Sequence, residues 1–172
     1  DMGYSFTSRS PVSTIILQRL PTTLWVVGLA YLVGLVIAFP LAVLSVVKRF
    51  TWIEQAVNTF SLLGFSLPTF FTGLVFIIIF NVQLGWLPSF YNSTLKVNSF
   101  SSLIEQIKQS IMPISVLAFY QGAMLMRFIR SAILDEVNEE YVKTAYAKGL
   151  SYFAVFKNHI IRNAMIPVVT LI

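Results

Sequence analysis

Long apolar runs broken by short polar stretches set the pattern of this chain. Between Arg19 and Lys48 lie 28 residues without a charge, LPTTLWVVGLAYLVGLVIAFPLAVLSVV. About 20 apolar residues cover the ~30 Å hydrocarbon core of a bilayer, so the pattern predicts a transmembrane helix over about 22–47. Pro21 suits its first turn, and Pro40 predicts a kink whose freed carbonyl packing must satisfy. After Lys48, Arg49 and Glu54 no charge follows until Lys96. Within that interval FSLPTFFTGLVFIIIF predicts a second span over about 67–83, with Ser66 capping it and Pro68 in its first turn. Gly64 and Pro68 predict that the segment before it enters at an angle or as a broken helix. LGWLPSFYNSTLKVNSFSS follows, with Trp86 and Tyr91 at interface depth among turn-forming residues. Residues 103–109 read as a short amphipathic piece. The charge-free run from Gln109 to Met126 predicts a third span over about 110–130, and a fourth apolar run covers 164–172.

The stretch from about 132 to 163 breaks this pattern. Helix-favouring residues run from Ala132 to Lys148, with Ile133, Val137, Tyr141 and Ala145 at i, i+4 steps and Asp135, Glu136, Glu139 and Glu140 off that stripe. Gly149 predicts the end of this helix as a C′ glycine with positive φ. Ser151 can cap a second helix, in which Phe153, Phe156 and Ile160 form one row and Lys157, Asn158 and Arg162 lie outside it. Two readings stand side by side on pattern alone. An amphipathic loop can lie on lipid headgroups, or a helix–corner–helix can dock its apolar knuckle into a groove of a soluble partner. The acidity of the first helix suits anionic lipid poorly. Tyr146, Leu150, Tyr152 and Phe153 also concentrate anchor-type side chains within eight residues.

Composition fits a membrane protein. Of 172 residues 56% are hydrophobic and 11% charged, against about 25% charged in a soluble domain, and the mean hydropathy is +0.77. The net charge of +5 is scattered between apolar runs, which is the positive-inside pattern rather than a nucleic-acid surface. Eight Lys and Arg lie in 48–55 and 127–162, against four (Arg9, Arg19, Lys96, Lys108) on the other side, which predicts that loops 48–55 and 131–160 face the cytoplasm and 84–108 face outside. No cysteine is present and His159 is the one histidine, so no metal site and no cofactor is expected. The chain opens DMGYSF, with no initiator Met or basic n-region, and stops at PVVTLI within an apolar run. It therefore reads as a fragment, incomplete at both ends.

EYVKTAYAKGLSYFAVFKNHIIRNAMIPVVT resembles the EAA loop of inner-membrane permease subunits of binding-protein-dependent ABC importers, in the variant of the oligopeptide, dipeptide and nickel permeases. Tyr141-Val142, Thr144-Ala145, Ala147-Lys148-Gly149-Leu150, His159, Arg162-Asn163-Ala164 and Pro167 carry the resemblance. The broad family has Glu-Ala-Ala six residues before the glycine, where this chain has Lys143-Thr144-Ala145. Its Ile-x-Leu-Pro is replaced here by His159-Ile-Ile-Arg162. MGYSFTSRSPVSTIILQRLPTTL, SLPTFFTGLVFIIIF and RFIRSAILDEVNEEYV resemble other parts of the same branch. The resemblance implies an all-α, polytopic transmembrane bundle of the type I ABC importer permease kind, here about four spans of an expected six. It implies no chemistry on this chain. It also implies cytoplasmic ATP-binding subunits, a second homologous permease subunit and an extracytoplasmic substrate-binding protein as partners, in the inner membrane of a prokaryote. Thr144, Ala145, Tyr146, Lys148, Gly149, Leu150, Ser151, Tyr152, Phe153 and Phe156 would couple to the ATPase, with His159, Arg162 and Asn163 setting register.

Two rival classes remain at this point. An intramembrane enzyme needs paired carboxylates or a nucleophile with a base inside the spans, and the apolar runs carry no Asp, Glu, Lys, Arg or His. A channel needs a filter or a charged pore ring, and nothing in the sequence resembles one. Asn81, Gln83, Tyr120 and Gln121 are the candidates for a translocation path, although such residues also bond across packed helices. Gly28, Gly34, Gly73 and Gly122 are expected at helix contacts.

Overall fold

Backbone polar groups inside a bilayer have no water to bond, so an apolar segment of this length satisfies them internally as a helix. The computed structural model describes residues 2–95 and 97–171 and is built of helices, apart from one antiparallel pair of two-residue strands, β1 (Tyr4–Ser5) and β2 (Ser10–Pro11). Helix α1 (Val12–Thr23) passes through a π-helical turn at Leu24–Gly28 into α2 (Leu29–Val47). Then come α3 (Trp52–Ser66), α4 (Thr69–Phe76) with a π-helical continuation over Ile77–Gln83, and α5 (Phe100–Val137). A cluster of α6 (Glu140–Ala147), α7 (Tyr152–Val155), a π-helical stretch Phe156–Ile161 and α8 (Arg162–Leu171) follows. Among the described residues, Val12–Val47 and Phe100–Val137 are long and apolar enough to cross a membrane, and the broken pair Trp52–Ser66 and Thr69–Gln83 makes a third if it counts as one span. Arg162–Leu171 alone, ten residues, reaches about 15 Å, half a bilayer core. Lys96 of the charge count and Ile172 at the end of the fourth expected span lie outside the described residues.

Several boundaries differ from those the sequence predicts. The first helix begins at Val12, so Pro21 lies inside α1 rather than in a first turn. A charge such as Arg19 does not stop a helix, and the widened turn at Leu24–Gly28 follows three residues after the proline. α2 runs through Pro40 without interruption. Ser66 does not cap α4. It is the last residue of α3, and Pro68 holds the N-cap position. Leu67 is extended (φ −79°, ψ 128°), as the residue before a proline tends to be, so the new helix starts only past Pro68. The amphipathic piece 103–109 is not separate but belongs to α5. That helix opens on a reciprocal cap in which Ser102 N–H donates to Ser99 Oγ (3.2 Å) and Ser99 N–H donates to Ser102 Oγ (2.9 Å). The helix predicted over 132–148 is interrupted. α5 ends at Val137, and Asn138 Nδ2 donates back to the Leu134 carbonyl at 3.1 Å, the local competition that makes Asn a helix breaker.

The chain divides into two compact units. In the first, residues 1–32 and 68–118, the opening turns of α5 carry a polar network. Trp25 Nε1 donates to Ser110 Oγ (2.9 Å), whose hydroxyl donates to the Gln106 carbonyl (2.5 Å). Gln106 Nε2 donates to Tyr91 Oη (2.6 Å), and Gln109 Oε1 accepts from Asn92 N–H (2.8 Å). Gln109 and Ser110 are buried, and this pairing is what makes their burial affordable.

The second unit, residues 33–67 and 119–172, is packed through small residues. A Cβ on Gly122 would stand 3.2 Å from the Gly34 carbonyl oxygen, and one on Gly64 would stand 2.7 Å from Ala123 Cβ. Ser61 Oγ donates to the Ala123 carbonyl (2.9 Å), and Phe60 meets Phe119 edge-on at 5.2 Å. Such close backbone approach is how membrane helices associate without a hydrophobic drive between them. Gly34 and Gly122 are thus contact glycines as expected. Gly28 and Gly73 are not, since a Cβ at either would meet nothing within 4 Å. Ile129, Ile133, Val155, Ile160 and Val168 complete this core.

Candidate functional site

The surface between α5 and α8 is shaped by main-chain bonds at one corner. α6 ends at Ala147, and Lys148 (φ −77°, ψ 1°) is its C-cap. Gly149 follows with φ +81°. Leu150 N–H donates to the Ala145 carbonyl (3.3 Å), and Gly149 N–H donates to the Tyr146 carbonyl (2.9 Å). These two bonds are the Schellman pair, which consumes helix-end carbonyls and turns the chain sharply. Ser151 then caps α7, its Oγ accepting from Ala154 N–H at 3.4 Å.

The corner separates scaffold from exposed groups. Ala145 and Phe156 are 5% and 8% exposed and pack inward with Val142, Val155 and Ile160. Tyr146, Leu150 and Tyr152 are exposed, and Phe153 is 72% exposed. The expected row Phe153–Phe156–Ile160 therefore splits. Phe156 and Ile160 point into the core, whereas Phe153 stands in the first turn of α7, before the π-helical stretch that begins at Phe156 shifts the register. Phe156 stacks on Tyr152 with centroids 5.8 Å apart, so a buried ring supports an exposed one. Thr144 is exposed and its hydroxyl donates to the Glu140 carbonyl (3.0 Å). Lys148, Ser151 and Arg162 are exposed, while His159 and Asn163 are half-buried.

Two polar clasps that sequence reasoning did not identify fix this scaffold. Tyr141 Oη donates to the Glu136 carboxylate across the break between α5 and α6. Burial first, and then Glu136, push the Tyr141 hydroxyl above its ordinary pKa, while the Asn163 side chain at the same hydroxyl pulls it down. The tyrosine thus ties α6 to the end of α5. Glu54, in the first turn of α3, accepts Phe50 N–H at 2.6 Å through one oxygen and pairs with Arg130 of α5 through the other. The Phe50 N–H first and Arg130 second hold its carboxyl below the usual range. It stays ionised through neutral pH, and the clasp is lost only as pH falls through that lowered value. The available signal in the sequence is a lone acid beside two bases.

The four path candidates fall two in each unit. Asn81 and Gln83 belong to the first unit, Tyr120 and Gln121 to the second. Asn81 Nδ2 donates to the Leu87 carbonyl (2.7 Å) and so closes the turn after the π-helical stretch. Gln83 is exposed, and Tyr120 and Gln121 are half-buried. An apolar cleft of about 420 Å³ in the first unit, between Phe70, Gly73, Ile77, Phe90, Met112 and Pro113, touches none of them.

A positive φ at Gly149 excludes most side chains, at about 1–2 kcal/mol for an L-residue. Gly149→Val is expected to leave the protein inserted at normal levels but to loosen the corner, measured as faster limited proteolysis between α6 and α7. An unchanged cleavage rate is the contrary result.

Apolar helices of membrane length, small-residue contacts and a capped helix–corner–helix define a polytopic helical membrane protein. The chain belongs to the inner membrane components of binding-protein-dependent transport systems, whose family model matches residues 30–172, and it is a permease subunit of the ABC importer kind. It is similar to the oligopeptide transport system permease protein AppB of Bacillus subtilis, 36% identical over 172 residues, covering 99% of this chain and 54% of AppB. It is also similar to the glutathione transport system permease protein GsiC of Escherichia coli O6:H1, 34% identical over 171 residues, covering 99% of this chain and 52% of GsiC. The chain spans about half the length of the curated relatives it matches.

Proposed function

We propose that this chain contributes to the translocation path of an ATP-driven peptide importer and is driven through its helix–corner–helix by separate cytoplasmic ATP-binding subunits. A second permease subunit and an extracytoplasmic binding protein complete the assembly, and no catalytic step occurs on this chain. Peptides are favoured as substrate by the names of the relatives, oligopeptide for one and the tripeptide glutathione for another. Asn81, Gln83, Tyr120 and Gln121 are the polar groups proposed for the path. With spans over about 22–47, 67–83, 110–130 and 164–172, the excess of Lys and Arg in 48–55 and 127–162 favours a cytoplasmic side for 48–55 and 131–160.

The observation that carries this reading is the split at the corner. Tyr146, Leu150, Tyr152 and Phe153 are exposed around Gly149 while Ala145, Val155 and Phe156 are buried beneath them. A rigid support under exposed aromatic groups suits a part that seats in a protein cleft and transmits displacement. Leu150→Cys and Ser151→Cys, in a cysteine-free assembled transporter, are expected to cross-link to the ATP-binding subunit with a yield that changes when ATP is bound. Labelling by lipid-phase probes alone, with no ATPase cross-link, favours the membrane-surface reading instead.

Orientation is tested separately. Ser93→Cys is expected to react with an impermeant thiol reagent in intact cells, and Ser151→Cys only after the membrane is opened. The reverse pattern overturns the topology.

A further inference from the structure

The turn between α2 and α3 carries a second exposed apolar group, distant in sequence from the coupling corner. Phe50 is 86% exposed and Trp52 76% exposed. Lys48 and Arg49 precede them and are exposed as well. The turn is not loose. Thr51 binds the Lys48 carbonyl twice, through its N–H (3.2 Å) and its hydroxyl (2.5 Å). Phe50 has φ +65°, a conformation a bulky residue adopts only when its surroundings impose it. Here Glu54 imposes it by accepting the Phe50 N–H, and Arg130 holds Glu54. The Arg49 guanidinium lies over the Phe50 ring, 4.7 Å from its centroid.

Charge and position together identify what covers this turn. It begins immediately after Val47, where the apolar run of α2 ends. Glu54 is the one acid in 48–55, and both of its oxygens are taken, one by Phe50 N–H and the other by Arg130. Glu54 is already paired with Arg130, so Lys48 and Arg49 leave the turn with a net positive charge. The amphipathic indole of Trp52 suits the headgroup level, the apolar Phe50 ring suits the acyl side of it, and Lys and Arg beside them can pair with lipid phosphates. A protein cleft that accepts aromatic anchors also offers carboxylates to adjacent bases, but nothing in the turn requires one, whereas a span end requires an interface.

We propose that Lys48, Arg49, Phe50 and Trp52 form an anchor for anionic phospholipid, with the two rings seated at the headgroup–acyl boundary and the two bases on phosphates of the same leaflet. The left-handed Phe50, held by Glu54, presents both rings from one short turn. This role is independent of the ATPase coupling proposed above.

The test uses the full-length subunit in its assembled transporter, in nanodiscs of equimolar phosphatidylglycerol and phosphatidylcholine. A photocrosslinking amino acid, p-benzoylphenylalanine, replaces Phe50 or Trp52, and the adducts are identified by mass spectrometry. Phospholipid is expected to dominate at both positions, with phosphatidylglycerol enriched at least about fivefold, since each of the two basic residues contributes ~1 kcal/mol at an anionic surface. Lys48→Gln with Arg49→Gln is expected to remove the enrichment while lipid adducts persist. Adducts mainly to an ATP-binding subunit, a second permease or another part of this chain overturn the proposal, and so does lipid without enrichment. The same probe at Phe153 reports on the coupling corner, so failure of that reading is seen separately.

Discussion

Phe153→Ala is expected to weaken association with the ATP-binding subunits about 30-fold or more, while insertion and thermal stability stay unchanged. The ring is 72% exposed, so its removal leaves little cavity within the permease. The Schellman pair and the Ser151 cap use main-chain and serine atoms and survive the substitution. On the coupling role proposed above, what is lost is an anchor at the tip of the corner, and truncating a hot-spot aromatic costs ~2 kcal/mol or more, a factor of about 30 in affinity. Copurification from detergent, titrated against ATPase concentration, measures it. Phe156→Ala is the informative contrast. That ring is 8% exposed and stacks on Tyr152, and its loss costs about 3–5 kcal/mol of folding stability, so the subunit itself is expected to fail. Equal ATPase binding by Phe153→Ala and the unaltered protein would remove the anchor role.

Gly64→Ala is expected to destabilise the permease, reversing the sign usual for this exchange. Within a helix, alanine ordinarily gains about 1 kcal/mol over glycine. At Gly64 the added carbon stands 2.7 Å from Ala123 Cβ and 3.3 Å from the Phe119 carbonyl oxygen. Both obstacles are fixed to the backbone of α5, so relief requires the helices to separate. Separation lengthens the bond from Ser61 Oγ to the Ala123 carbonyl, now 2.9 Å. Overpacking of this kind costs about 1–3 kcal/mol, and Gly64→Leu is expected to cost more. Ala123→Gly removes the nearer obstacle and is expected to restore part of the stability in the double variant. Gly73→Ala, with open space around it, serves as the control. Retention of the folded fraction in detergent on heating distinguishes these cases, and a stable Gly64→Ala protein would show that the helices yield.

The apolar runs were legible because the bilayer leaves helix as the available backbone solution for them. The corner was legible because glycine at 149, serine at 151 and the flanking aromatic residues each have a local physical meaning. What the sequence concealed depends on pairings across the fold. Pro21 reads as a helix start, yet nothing in its neighbours stops a helix that begins at Val12. Asn138 looks like one more polar residue in a helical stretch until its amide bonds back to Leu134 and ends α5. Gly64 reads as a hinge marker beside Pro68, whereas the structure uses it as a contact surface against Ala123. The Glu54–Arg130 clasp joins residues 76 positions apart, and no local pattern announces it. Phe153 and Phe156 look equivalent by spacing, but the start of α7 and the π-helical register assign one to the surface and the other to the core.

The direction in which the chain leaves the corner is written in main-chain hydrogen bonds, a single glycine and the Ser151 hydroxyl, not in the exposed rings. Leu150 and Gly149 supply only their N–H groups to that turn. Tyr146 and Phe153 can therefore be exchanged without altering the angle of that turn. On the coupling role proposed above, partner choice and mechanical output are then separable: the surface rings can change while the turn beneath them keeps its shape.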